Sequence, residues 1–517
     1  MLYKESDIDR SNKNFAVTIK EYIDKNYSDR RISMNTLIGL VGYSDVRINS
    51  VFKKDYEMTP IEYLHQVRLQ KAKELMGKGV PIGMAAHKAG YGSQRTFYRV
   101  FAKHTGMSPG EYKQNVFEDY STALDMVKQH ELSPLEYARK ICDTIMFECD
   151  PTKLPPLFVD LPQSRYTYQQ GIFLLGMYYI YQWCGDERYL NYISEWIDTV
   201  IDEDGRRIES IEHPIDESRN GLDTFQPLRL MMAAGDVIKS ERAKKAIERN
   251  LARYRHFEKN KSGVFLHGAE AGGEGVFLNS IYMLGPTLCM YAKENNINDM
   301  YGVAAEQAII MYQNMRNEET GLLYHAWDDA ICEPWADPED GLLKEVWGRG
   351  MAYYCMGILD MLDYIPETNK IRKKLKNIIK DVLIAVAQYQ DKSGRWYQLL
   401  EKDTLEDNWL ENSCTCMFSY SFAKAINLGI LGKEYARIAI RAYCGIIDDI
   451  EYDNDGEIAY IKNICEGISV GPREKYIENN RSTNDLHGMG AFVHMCIEME
   501  KLLKNLQDKA EQGGREE

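Results

Sequence analysis

"GIFLLGMYYIYQWCGDERYLNYISEWIDTVI", Gly171–Ile201, reads as two helices of opposite character. The first half is apolar almost all round, and a helix of that kind is buried. The second half is amphipathic and has one wet face. Gly185-Asp186 separates them, and Asp204-Gly205 follows shortly after. The same plan returns in "FLNSIYMLGPTLCMYAKENNINDMYGVAAEQAIIMYQNM" (Phe277–Met315), from Gly348 to Tyr389, and in "CTCMFSYSFAKAINLGILGKEYARIAIRAYCGII" (Cys414–Ile447).

A short mark punctuates these pairs: Asp204-Gly205, Ser262-Gly263, Thr320-Gly321, Ser393-Gly394 and Asp455-Gly456. The glycines lie 58, 58, 73 and 62 residues apart. Repeated pairs of one inner and one outer helix at such periods predict a closed ring or solenoid. Counting "SPLEYARKICDTIMF" and "GMGAFVHMCIEMEKLL" at the ends gives about six pairs, hence an (α/α)6 barrel. Every outer helix then leads through its glycine turn into the next inner helix, so the turns gather at one mouth. They carry His267, His325, Trp327, Trp335, Trp396 and Tyr397. Rings, imidazoles and acids at one mouth suit a carbohydrate cleft. Taken singly, a Trp beside a loop packs and His267 is structural; their shared place in the repeat is what favours a site.

The 517 residues are 44% hydrophobic and 11% aromatic, enough for a large core, and 35 are Tyr. The all-α reading covers the whole chain. No apolar run approaches the ~18–20 residues of a membrane span. The start, MLYKESDIDR, has no signal-peptide core. All 11 Cys lie from Cys142 onward without zinc-type spacing, so buried thiols in the cytoplasm are expected, with no metal. Charge is uneven. Residues 1–120 hold 19 Lys and Arg against 14 Asp and Glu, while the whole chain holds 63 against 78. A basic head on an acidic body points to a polyanion met by the head alone.

Within the head, two stretches share one design. Ile32–Leu37 leads through Val41-Gly42-Tyr43-Ser44 into Asp45–Lys54, and Val80–Ala89 leads through Gly90-Tyr91-Gly92-Ser93 into Gln94–Lys103. Each is helix, glycine turn, and a second helix capped by Ser44 or Ser93. Pro60–Met76 reads as the helix between them. A helix-turn-helix lays its second helix in the major groove, where Gln and Arg suit adenine and guanine edges and Lys suits phosphates. The DNA-contact candidates are Arg47, Asn49, Lys53, Gln94, Arg95, Thr96 and Arg99. Two such motifs in one head can occupy adjacent groove turns, which leaves a homodimer open.

The runs "VFKKDYEMTPIEYLHQVRLQKAKELM" and "AGYGSQRTFYRVFAKHTGMSPGEYK" resemble the AraC/XylS-type DNA-binding domain. Such domains usually close their chain, whereas here it opens it. The expected layout is a DNA-binding domain at 10–116, a linker at 117–133, a barrel at 134–505 and a charged tail at 506–517. The barrel is similar to the unsaturated uronyl hydrolases of glycoside hydrolase families 88 and 105. The similarity rests on "TYQQGIFLLGMYYIYQWCGDERYL", "GLLYHAWDD…PWADP", "EVWGRGMAYY", "NWLENSCTCMF" and "NDLHGMGAF". It implies an (α/α)6 barrel that acts on the 4,5-unsaturated uronic acid left by polysaccharide lyases. There an Asp protonates the enol-ether double bond and helps water add; no metal or organic cofactor is implied.

The resemblance implies two cleft Asp residues. Asp223 in "NGLDTFQP" matches the first. The second, the proton donor in a run like Trp-x-Asp-x-Leu-Tyr-Met, becomes "FLNSIYM", so Asn279 stands in its place. An amide cannot deliver a proton as a carboxylic acid does. Three other readings stay open at this point: Asn279 caps a helix, Glu270 or Glu274 takes over, or the register is shifted. The matched binding positions are Tyr168, His267, His325, Trp327, Trp347 and Arg349, with Tyr353 where a Trp is usual. Arg349 can clamp a uronate carboxylate or pair with a nearby acid. The chain is therefore expected to be a transcriptional regulator whose barrel binds an unsaturated uronic-acid oligosaccharide with weak or no hydrolysis. The alternative is a working hydrolase carrying a DNA-binding head.

Overall fold

The structure is a computed structural model that describes residues 5–56, 58–77, 80–105, 108–110, 112, 120–154, 166–208, 221–268 and 275–513. It separates into two compact units, residues 1–119 and 120–517. The first unit is helical: α1 (Glu5–Asn26), α2 (Met34–Val41), α3 (Asp45–Tyr56), α4 (Pro60–Gly77), α5 (Ile82–Lys88) and α6 (Gln94–Thr105). Ile19, Leu37, Ile48, Phe52 and Leu64 make one small core. Leu69, Ala86, Phe97, Phe101 and Tyr112 make a second, with α4 contributing to both. Arg68 on α4 is buried and donates to the carbonyls of Tyr27 (2.7 Å) and Asp29 (2.8 Å), which ties the linking helix to the loop after α1.

The second unit opens with α7 (Tyr120–Val127), inside the stretch read as a linker; it packs on α18 (Ala436–Ile447). Six helices follow one another round a closed inner ring: α9 (Tyr168–Cys184), α11 (Gln226–Ala233), α13 (Ser280–Asn295), α15 (Gly348–Met361), α17 (Asn412–Asn427) and α19 (Leu486–Gly513), which returns to α9. Outside them lie α8 (Pro134–Glu148), α10 (Glu187–Val200), α12 (Glu241–Arg253), α14 (Asn298–Met315), α16 (Lys370–Val386) and α18. Their sequences explain the sorting. In α9 every residue from Gln170 to Tyr178 is buried, so it has no wet face. In α10 the buried set is Tyr189, Tyr192, Ile193, Trp196, Ile197 and Val200, one stripe at helical spacing. The stretch read as a charged tail is the continuation of α19, and Leu506 in it is buried.

All five glycines of the repeat mark lie in the left-handed region, with φ between 72° and 88°. Each closes a small hairpin begun by an Asp or Asn three or four residues earlier. Asp202, Asn260, Asn317, Asp391 and Asp453 each accept backbone N–H bonds through the side-chain oxygen, as Asx turns do. The five turns deliver α11, α13, α15, α17 and α19 with their N-termini at one end. Short strands dress that mouth. β1 (Val276–Phe277), β2 (Ala326–Trp327) and β3 (Leu342–Leu343) form one antiparallel sheet, and β4 (Trp396–Tyr397) pairs with β5 (Leu410–Glu411). β6 (Ile450–Tyr452) pairs with β7 (Ala459–Ile461), and β8 (Ile464–Cys465) with β9 (Arg481–Ser482). Among the described residues no helix is long and apolar enough to cross a membrane.

A Cβ at Gly394 would sit 2.2 Å from the Arg441 carbonyl oxygen on α18, whereas one at Gly263 would meet nothing within 4 Å. Both positions have positive φ, so both substitutions to Ala are strained. Gly394→Ala is expected to lower barrel stability by about 2 kcal/mol or more, and Gly263→Ala by about 1 kcal/mol. Urea titration of the two variants checks the order; equal losses would show that close approach to α18 does not matter.

Candidate functional site

The mouth is built from the first turns of the inner helices. Asp223 sits in the 3-10 turn Leu222–Phe225 that feeds α11. This turn lies on the His267 loop because two glycines face each other. A Cβ at Gly221 would reach the His267 carbonyl at 2.9 Å, and one at Gly268 would reach the Gly221 Cα at 2.7 Å. His267 stacks on Phe277 (5.0 Å between centroids), shares a hydrogen bond with Ser280 Oγ through Nδ1 (2.7 Å), and holds Nε2 3.4 Å from Asp223 Oδ1. Ser280 is the first residue of α13, next to Asn279.

Asn279 does not cap α13. Its backbone is already helical (φ −66°, ψ −20°), and its side chain makes no capping hydrogen bond. Asn279 Oδ1 and Asp223 Oδ1 are instead both buried and without a hydrogen-bond partner. Leaving a buried acceptor unmet costs about 1–3 kcal/mol, so each oxygen marks a place where a ligand donor would be stabilising.

The opposite wall is aromatic and cationic. His325 shares a hydrogen bond with Tyr476 Oη (2.6 Å) and lies against Trp347 (4.5 Å) and Phe277 (5.9 Å). Burial, with His267 and Arg349 adding to it, pushes His325 down to about 3, so it is a neutral imidazole. Trp347 donates Nε1–H to Gln398 Oε1 (3.1 Å) and is backed by the Arg349 guanidinium 4.7 Å from its ring centroid. Arg349 is 1% exposed. It donates to the carbonyls of Cys465 and Glu466 and to His487, while its Nε–H has no partner. None of its described partners is a carboxylate, so the acid partner open at the sequence level is not what holds it. Tyr168 and Tyr353 close the floor (6.5 Å apart), and the Tyr353 hydroxyl is buried and unpartnered.

Trp327 is placed differently. It faces Val276 and Leu342 across the sheet and joins the main core, while its neighbour Ala326 faces Phe277 and Leu343 in the small cluster with Trp347 and Tyr476. Trp396 is likewise buried among Phe418 and Phe422. Phe277 stands where those two were expected. Glu270 and Glu274 lie outside the described residues. Among the described residues no cluster of His, Cys, Asp and Glu could hold a metal ion.

In the first unit, Ser44 Oγ accepts from the Arg47 N–H and Ser93 Oγ from the Thr96 N–H (both 3.4 Å), so both second helices start as expected. Arg47, Lys53, Gln94, Arg95 and Arg99 are exposed, and Thr96 is half-buried. Arg47 lies over the Tyr43 ring at 4.3 Å. Asn49 is not outward: it is half-buried, with a buried, unpartnered Oδ1. It follows the core residue Ile48 by about 100° on the helix, which leaves it on the flank. Val46, not among the candidates, is 73% exposed at the first turn of α3.

Residues 137–503 match the family described as Glycosyl Hydrolase Family 88, most of the chain. The chain belongs to that family. Residues 38–115 match a helix-turn-helix domain of AraC type. Relatives divide between the two parts. Protein Atu3128 of Agrobacterium fabrum is 30% identical over 122 residues, 24% of this chain and 52% of its own length. The unsaturated rhamnogalacturonyl hydrolase YesR of Bacillus subtilis is 23% identical over 55% of this chain and 76% of its own. A solved family 105 glycoside hydrolase from C. acetobutylicum is 27% identical with a TM-score of 0.65, covering 71% of this chain and 99% of its own. The chain thus spans about half the length of the first curated relative and nearly all of that solved structure.

Within this Family 88 barrel, several cleft residues were quoted in matched runs but not singled out. Glu411 receives the N–H groups of Ser413, Cys414 and Cys465 at the start of α17. His487 Nδ1 lies 2.5 Å from Asp485 Oδ1, with both side chains fully buried. Tyr476 and Gln398 gave no signal, because Tyr476 comes from the short helix Arg473–Ile477 and Gln398 from just after β4, both far along the chain from the residues they meet.

The neutral His325 makes a prediction about pH. A His whose folded pKa is depressed stays unprotonated in the fold while the unfolded chain takes the proton. Its stabilising contribution is complete above about pH 6.5 and is lost as pH falls toward 3. Barrel stability should drop by up to about 1.4 kcal/mol per pH unit from this group across that window. His325→Gln should flatten the slope between pH 6.5 and 5.5; an unchanged slope would show the imidazole is not kept neutral.

Proposed function

We propose that this protein is a DNA-binding regulator whose Family 88 barrel binds an unsaturated uronic-acid oligosaccharide as effector and hydrolyses it weakly or not at all. The observation that carries the reading is Asn279. Its carbonyl oxygen is buried, unpartnered and uninvolved in capping, and its neighbour Ser280 bonds the same His267 that approaches Asp223. The resemblance to the uronyl hydrolases puts a proton-donating Asp at this position. An amide keeps the shape and accepts or donates a hydrogen bond, but it cannot pass a proton to an alkene carbon.

The other cleft groups support recognition. Asp223 and Asn279 accept from sugar hydroxyls, with His267 setting Asp223. The rings of Phe277, Trp347, Tyr168 and Tyr353 cover a sugar face. Arg349 supplies a buried positive charge behind the Trp347 ring that is not matched by a carboxylate among its described partners, and it adds to the field met by a uronate. Neutral His325 offers a hydrogen bond without adding charge. YesR, a relative over this region, is named for unsaturated rhamnogalacturonides, and the same substrate class fits this cleft.

On the DNA side, Arg47, Gln94, Arg95 and Arg99 read base edges, and Lys53 meets phosphate. Exposed Val46 suits the thymine methyl group. For the effector to regulate, it must prefer one arrangement of the two units; a tenfold change in DNA affinity corresponds to about 1.4 kcal/mol of coupling.

Fluorescence anisotropy on DNA upstream of the gene, with and without lyase-generated oligosaccharides, tests this. The fragments should bind and shift DNA affinity several-fold, and Arg95→Ala should cost about 1–3 kcal/mol of specific binding. Bound fragments that leave DNA affinity untouched would remove the effector role.

A further inference from the structure

A cavity of about 440 Å³ opens at the other end of the barrel. It is lined by residues two or more turns into the inner helices: Tyr179 on α9, Tyr420 and Lys424 on α17, His494 on α19. Tyr179 lies eleven residues past Tyr168, and Lys424 thirteen past Glu411. At 1.5 Å per residue that is about 16–20 Å from the cleft residues on the same helices. The size falls within the ~300–1,000 Å³ of small-molecule sites.

Its floor is an ionic group that is buried except for Asp363. Asp360, 1% exposed, pairs with Arg229 and with Lys424, and Lys424 also pairs with Asp363 (2.6 Å). Higher on the wall, Lys501 pairs with Glu498 and Lys504 with Glu500. Every cation that lines the cavity therefore already has a carboxylate, so the site has no surplus charge to draw an anion. What it offers is polar and aromatic. Arg229, 3% exposed, keeps a buried Nε–H with no partner. His494 is held neutral, pushed down to about 4 by burial, and its Nε2 lies 3.2 Å from the Ile172 carbonyl, leaving Nδ1 as an acceptor. Tyr179 and Tyr420 flank His494 at 5.8 and 6.1 Å, and Trp183 stands 46% exposed at the rim beside Gln182.

We infer that this cavity binds an uncharged sugar of one or two rings, stacked on Trp183 and hydrogen-bonded to the polar groups below. The charge balance separates this ligand from the cleft's uronide.

The test is calorimetric titration of the full-length protein with D-galactose, L-rhamnose, D-xylose, D-glucose and their disaccharides at up to tens of millimolar, with D-glucuronate as the charged comparison. At least one neutral sugar should bind. Trp183→Ala and Gln182→Ala should each weaken it, the former at least tenfold, whereas Asn279→Asp should leave it unchanged. Binding by none of the panel would overturn the inference. So would a neutral sugar whose affinity ignores Trp183 and Gln182 or responds to Asn279, and so would tighter binding of glucuronate that depends on Trp183. None of these outcomes bears on the uronide cleft, which is read through Asn279 and DNA affinity.

Discussion

Everything at the mouth depends on a turn that only a left-handed residue can make. After an outer helix the chain must reverse within a few residues and enter the ring. Asp or Asn opens the reversal with a side-chain hydrogen bond, and glycine closes it at positive φ. Because this happens after five successive outer helices, the inner helices enter from the same end. Their dipoles converge there, which favours a ligand rich in oxygen and negative charge. The cleft residues follow from that geometry: Tyr168, Asp223, Asn279, Trp347 with Arg349, Glu411 and His487 each belong to the entry of one inner helix.

In the reading proposed above, one atom on that frame decides the chemistry. Near position 279 lie a carboxylate approached by His267, a neutral His325, an aromatic cluster and a buried guanidinium. In the proposed reading an amide stands there in place of the family's proton donor. Replacing a carboxyl by an amide changes volume little and leaves the acceptor oxygen in place, so affinity for the ligand can survive where turnover does not. A regulator benefits from such a pocket, because an effector that is not consumed holds its occupancy for as long as it is present. The head supplies the other half of that reading, with two serine-capped helices presenting Arg47, Arg95 and Arg99 to solvent.

The sequence carried the architecture well. The alternation of wholly apolar and one-faced helices and the repeated glycine mark are local signals, and both survive in the structure. So is Ser-capped entry into α3 and α6. Three residues singled out in the sequence, Asp223, Asn279 and Arg349, do sit at the entries of inner helices. Placement was less legible in the mouth strands. These are two residues long, and whether Trp327 or Phe277 faces the cleft depends on a register that no pattern of two residues encodes. Tyr476 reaches His325 across 151 positions, a contact set by ring closure alone. Asn49 differs by one helical step from the exposed face, and that step depends on where α3 rests on its core. The far cavity was invisible for a similar reason, since Arg229, Asp360 and Lys424 meet only when the ring closes.

The most direct test of the account is the loss of absorbance near the double-bond band when lyase-digested uronides are incubated with purified protein. Wild type should leave that absorbance intact, and Asn279→Asp should consume it, with a rate gain on the order of 10²–10⁴-fold. Rapid turnover by the wild type, or an Asp variant as inert as its parent, would contradict the claim that the amide at 279 separates recognition from hydrolysis.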